Sequence, residues 1–117
     1  MPDVTYKKFE DLDAYRGEGV RARQFLYAGK SLGVTAWKMN VLDLPPSWKD
    51  YPDHDHAKDG QEEVYVTLRG SAELEADGQT WSLSPGTLVR VGPNQKRKIL
   101  PGPEGVTILA IGGTPAS

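Results

Sequence analysis

Short apolar runs separated by glycine- and proline-bearing breaks recur along most of the chain, and their internal period is two. Residues 34–42 alternate, with Thr35, Trp37, Met39 and Val41 on one face and Val34, Ala36, Lys38 and Asn40 on the other. Pro45-Pro46 ends that run, because neither proline can donate to a ladder. Residues 62–68 mix valine, tyrosine and threonine and form the strongest strand signal, which Gly70 is expected to close. Ala72, Leu74 and Ala76 alternate with Glu73 and Glu75. Asp77-Gly78 then has the chemistry of a type I′ hairpin turn, and Trp81 and Leu83 continue the return strand, with Trp81 expected in the core. Further strands are expected over 20–27, 88–91, 97–100 and 106–111, with Gly29-Lys30-Ser31, Ser84-Pro85-Gly86 and Gly92-Pro93-Asn94 as turns and 101–105 as a loop. Upstream, Val4-Thr5-Tyr6 suits a short strand, and Phe9 and Leu12 suit one helical turn.

About eight to ten short strands with frequent turns, and no helix of ordinary length after residue 15, predict an all-β sandwich or barrel. A jelly roll folds two sheets together, hides most strand edges and leaves an interior wide enough for a small ligand. The 117 residues suit a single domain, and 38% apolar with 26% charged residues fits a globular chain. The expected layout is an N-terminal segment over 1–32 packing on or extending a barrel over 33–113, with a short tail after it.

Cysteine is absent, which excludes disulfides and zinc–thiolate chemistry. A net charge of −2 argues against a general attraction to nucleic acid, and Lys96-Arg97-Lys98 lacks the interleaved aromatics of a nucleic-acid patch. No apolar run is long enough for a membrane helix and the first residues lack the apolar centre of a signal peptide, so a cytoplasmic location is expected. No serine sits in a recognisable nucleophile setting.

The chemistry concentrates in the polar stretch over 47–61. His54 and His56 are the only two histidines, and in extended chain both leave the same face. Gly60 permits a sharp bend into the strand opened by Glu62-Glu63, of which only one carboxylate can face the imidazoles. Two imidazoles and a carboxylate with open positions left over suit a divalent transition metal: iron, manganese, nickel or zinc.

His54-Asp55-His56, Glu63 and Gly70 resemble the first motif of the cupin superfamily, G-x5-H-x-H-x3,4-E-x6-G. The resemblance selects Glu63 rather than Glu62 as third ligand. Gly78, Pro85-Gly86 and the run ending at Asn94 resemble the second motif, so the likeness spans roughly residues 33–113. It implies a cupin-type double-stranded β-helix, a metal-binding small-molecule pocket and a homodimer. Three features depart from the pattern. Trp48 stands where a glycine opens the first motif, six residues separate His56 from Glu63, and Arg97 occupies the place of the fourth ligand, a histidine.

Arginine cannot ligate a metal, because its guanidinium stays protonated. Two arrangements are therefore open. In one, His54, His56 and Glu63 hold the metal and Arg97 binds an anionic substrate. In the other, Arg97 pairs with Glu63 and its charge replaces the metal. Tyr65 shares the face of Glu63 and is a candidate substrate-binding group, as are Trp37 and Met39. Val64, Val66 and Leu68 form an opposite face too apolar for water, to be covered by a partner subunit or by the N-terminal segment. The functional expectation is a metal-dependent oxygenase, isomerase or lyase acting on a small, anionic ligand. The alternatives are a metal-free, non-catalytic binding or sensory module and a structural dimer with a vestigial pocket.

Overall fold

The computed structural model describes residues 2–16 and 24–115. Six strands carry the architecture: β1 (Phe25–Leu26), β2 (Lys38–Leu44), β3 (Glu62–Ala76), β4 (Gln79–Leu83), β5 (Leu88–Val91) and β6 (Lys98–Gly113). A 3₁₀ turn at Phe9–Asp11 and a short helix α1 (Ala28–Leu32) precede β2. All pairings are antiparallel, in the order β1-β2-β6-β3-β4, and β5 pairs with β3. The expected all-β architecture is therefore present, built from fewer and longer strands than the sequence pattern suggested.

The difference lies in β3 and β6. The runs expected over 62–68 and 72–76 are one strand, and those over 97–100 and 106–111 are another. Gly70 does not close β3. Instead the register with β6 shifts between Thr67 and Arg69 and again between Gly70 and Ala72. These irregularities are β-bulges within one six-stranded sheet that does not close. Gly70 has φ +79, and a Cβ there would lie 2.2 Å from the Gly105 oxygen, so only glycine allows the two backbones to approach this closely.

Other expectations meet the structure unevenly. Asp77 and Gly78 both have positive φ, as a type I′ turn demands. The segment around Gly29-Lys30-Ser31 is helical rather than a simple turn, and Val4 to Tyr6 is not a strand. The strand expected over 20–27 lies partly outside the described residues, with β1 as its described end. Trp81 is 45% exposed rather than buried: it shares the face of Leu74 and Leu83 but stands on β4 at the edge of the sheet.

Two apolar clusters hold the fold. The larger fills the interior with Leu42, Leu44, Tyr65, Leu74, Leu83, Val91, Ile99 and Ile108 among others. The smaller joins Leu12, Leu26 and Ala28 of the N-terminal segment to Val41, with Met39 and Leu109 packed against it. Period two thus assigns the faces of β2: Met39 and Val41 point outward under the N-terminal segment, while Lys38, Asn40, Leu42 and Leu44 share the inner face. Among the described residues no helix is long and apolar enough to cross a membrane.

Candidate metal and ligand site

The histidines reach the sheet on the loop between β2 and β3, and two devices hold that loop. One is a run of aromatic contacts. Phe25 packs against Trp48 and Tyr51 at centroid distances of 6.0 and 6.1 Å, Tyr51 against His54 at 5.8 Å, and His54 against His56 at 5.3 Å. The other is a short antiparallel bridge. His54 N–H donates to the Arg97 carbonyl at 3.0 Å and Arg97 N–H returns to the His54 carbonyl at 2.9 Å, while His56 N–H donates to the Pro93 carbonyl at 2.8 Å. Gly60 makes the expected bend with φ +67, and its N–H caps the His56 carbonyl.

His54, His56 and Glu63 converge, with one potential ligand atom from each lying within 4.8 Å of the others. Both imidazoles are oriented from behind. His54 Nδ1 lies 3.0 Å from the Pro52 carbonyl oxygen, which can only accept, so Nδ1 carries the hydrogen and Nε2 keeps its lone pair. His56 Nδ1 faces Asp59 Oδ2 at 3.2 Å in the same sense. Asp59 in turn accepts from the backbone and side-chain nitrogens of Gln61. The Gln61 backbone bond, opposed by desolvation and aided by His56, holds the Asp59 carboxyl below its ordinary range. Sequence reasoning missed Asp59 and Gln61; the signal was an acid three residues after the second histidine.

Glu63 is the hub. Its Oε1 accepts from Tyr65 at 2.8 Å and from Arg97 Nη2, and it faces His56 Nε2 at 3.2 Å. Its Oε2 takes no hydrogen bond from the described residues. Gln61 Nε2 also lies 3.3 Å from His56 Nδ1; with Nδ1 donating to Asp59, two acceptors meet at the Nε2–Oε1 contact. Such a contact needs positive charge between the atoms, either a proton or a metal ion.

Arg97 is 0% exposed, and each guanidinium nitrogen has an acceptor. Nε donates to Tyr65 Oη at 3.2 Å, Nη1 to the Gln95 and Gly92 carbonyls at 2.9 and 3.5 Å, and Nη2 to Glu63. Burial alone would lower its pKa, but Tyr65 and Glu63 outweigh that and hold it above its ordinary value. Desolvation pushes the Tyr65 phenol well up, reinforced by Tyr51 and Glu63. Desolvation likewise pushes Tyr51 up to about 12.

A cavity of about 370 Å³ opens over this group, lined by Lys38, Asn40, Tyr51, His54, His56, Gln61, Glu63, Tyr65 and Gly112 among others. That is a usual size for a small-molecule site. Met39 also borders it, although its side chain packs on the outer cluster. Trp37 does not line it; it lines a larger neighbouring cavity of about 750 Å³ together with Asp59 and Gln61. The structure therefore brings His54, His56, Glu63, Tyr65 and Arg97 into one group and leaves Trp37 outside it.

The architecture matches solved cupin structures, and the chain has the cupin fold. It is similar to a cupin protein from Bacteroides fragilis, with 23% identity, TM-score 0.65, and 91% of this chain and 89% of that one covered. A sugar phosphate isomerase of the cupin superfamily from Silicibacter pomeroyi superposes with TM-score 0.67 at 20% identity, over 78% of this chain and 59% of that one. The cupin domain of an XRE-family transcriptional regulator from Enterobacter cloacae gives 0.61 at 18%, over 69% and 84%. No protein-family model matches the sequence, and no curated protein does. At these identities the likeness is one of fold.

Proposed function

We propose that this chain binds one divalent transition metal on His54, His56 and Glu63 and uses it to engage a small ligand in the cavity above. The observation that carries the reading is His56 Nε2 facing Glu63 Oε1 at 3.2 Å while Asp59 occupies Nδ1. The donor set fits: two imidazole nitrogens with their Nδ1 atoms tied back, and a carboxylate whose Oε2 is uncommitted. When bound, the metal would supply Lewis acidity or oxygen activation. The protein's part is to fix the imidazoles, to hold the Glu63 carboxylate in place through Arg97 and Tyr65, and to exclude water with the aromatic wall. Isomerase chemistry is carried by the Silicibacter pomeroyi protein of this fold, and the same class is a fitting reaction here.

A second reading rests on the buried Arg97–Glu63 pair. Here the guanidinium neutralises Glu63, a proton lies between Glu63 and His56, and the pocket binds its ligand without metal, as a sensory module would. Elemental analysis of tag-free protein separates the two. Close to one equivalent of transition metal, lost in His56→Ala, is the expected result. Protein that stays metal-free after incubation with iron, manganese, nickel or zinc at neutral pH would establish the second reading.

A further inference from the structure

Three strands meet in register beneath the cavity. Lys38 of β2 lies opposite Gly112 of β6, and Gly112 lies opposite Glu63 of β3. One step along, Asn40 lies opposite Ala110, and Ala110 opposite Tyr65. Residues in such rows share a face, and both rows belong to the inner one, since Ala110 and Tyr65 are buried in the interior cluster. The middle strand therefore contributes a glycine and an alanine where larger side chains would fill the space. This leaves a trough floored by β6, with Glu63 and Tyr65 on one bank and Lys38 and Asn40 on the other. The banks are two strand spacings apart, roughly 9.5 Å between backbones. Gln61 occupies the row over Gly112, where a Cβ would lie 2.0 Å from its Oε1, and the cavity continues over Ala110.

The banks differ in commitment. Glu63, Tyr65, His56 and Asp59 are bonded to one another or to Arg97. Arg97 is fully buried and saturated, so an incoming anion meets Glu63 and Tyr65 before it meets the guanidinium. Lys38 is exposed, and among the described residues no hydrogen bond or ion pair engages its ammonium or the Asn40 amide. Lys38 is thus the uncommitted cation of the cavity lining, and Asn40 adds a neutral donor beside it.

We infer that the β2 bank is the anion-binding side of the pocket, and that its ligand is a small carboxylate. Lys38 Nζ and the Asn40 amide hold the carboxylate while the opposite end of the ligand lies over His54, His56 and Glu63. One ammonium balances one negative charge, which favours a carboxylate over a phosphate dianion. The inference rests on the pocket reading above for what the far end meets, and on strand register alone for the anion bank.

The probe is glycolate, titrated into isotope-labelled protein and followed by nuclear magnetic resonance, first after chelation and then with added zinc. Glycolamide serves as the neutral isostere and methyl phosphate as the dianion. Glycolate is expected to shift resonances of β2 and β6, and Lys38→Gln to weaken it about tenfold or more, the usual loss for a charge-assisted hydrogen bond. Lys38→Arg should restore most of the affinity, and glycolamide should bind as weakly as glycolate does to Lys38→Gln. Equal glycolate binding by wild type and Lys38→Gln overturns the assignment, as does tighter binding of methyl phosphate. Binding that depends on Lys38 in both states, with zinc adding nothing, upholds the anion bank and defeats the metal reading.

Discussion

At the scale of single residues, the site depends on what stands behind each ligand. Asp59 is exposed and outside the donor set, yet it holds the His56 hydrogen at Nδ1 and so aims Nε2. Asp59→Asn is expected to lower zinc affinity by about 10- to 100-fold with little change in folding stability, measured by competition with a chromophoric chelator. Arg97 is the opposite case. Arg97→Met strands the Glu63 carboxylate next to Tyr65 without its countercharge, and is expected to cost about 3 kcal/mol in urea unfolding. His54, His56, Glu63, Tyr65 and Arg97 were legible because motif spacing and period two both pointed at them. Lys38 and Asn40 were not, because residues 34–42 carry apolar side chains on both faces. Only the burial of Val41 against Leu12, Leu26 and Ala28 reveals which face is outer.

The elements show why local pattern misjudged strand length. A glycine at 70 and a Pro-Gly-Pro stretch at 101–103 have the composition of turns, and in isolation each would be one. Here the two segments lie side by side, and β3 and β6 pair on both sides of the irregularity. Gly70→Ala tests that close approach, since the new Cβ meets the Gly105 oxygen at 2.2 Å in addition to the positive-φ strain. It is expected to cost well over 2 kcal/mol in urea unfolding, against about 1 kcal/mol for Gly78→Ala, whose Cβ enters open space. The loop over 45–61 was similarly opaque. Its composition is polar, but its placement comes from Trp48 and Tyr51 packing on Phe25, a contact between segments distant in sequence.

For the whole molecule, burial of the two phenols makes stability fall at alkaline pH. Tyr51 holds its proton up to about pH 12 when folded against 10.0 ordinarily, so the folded state binds that proton more tightly. Stability is then complete below about pH 10 and falls as pH rises toward 12, by up to about 1.4 kcal/mol per unit for each such group. Urea midpoints across that range should decline, and Tyr51→Phe should flatten the slope. The outer face is only partly roofed. The N-terminal segment covers Val41, while Leu68 at 42% and Leu88 at 66% stay exposed. A homodimer through this face is our expectation, and Leu88→Lys should move the sedimenting species from dimer to monomer. Among the described residues β4 and β5 pair with successive stretches of β3, residues 72–76 and 63–66. Thr67 of β3 pins the turn between them by two backbone hydrogen bonds, so whatever frees β3 would release both short strands together.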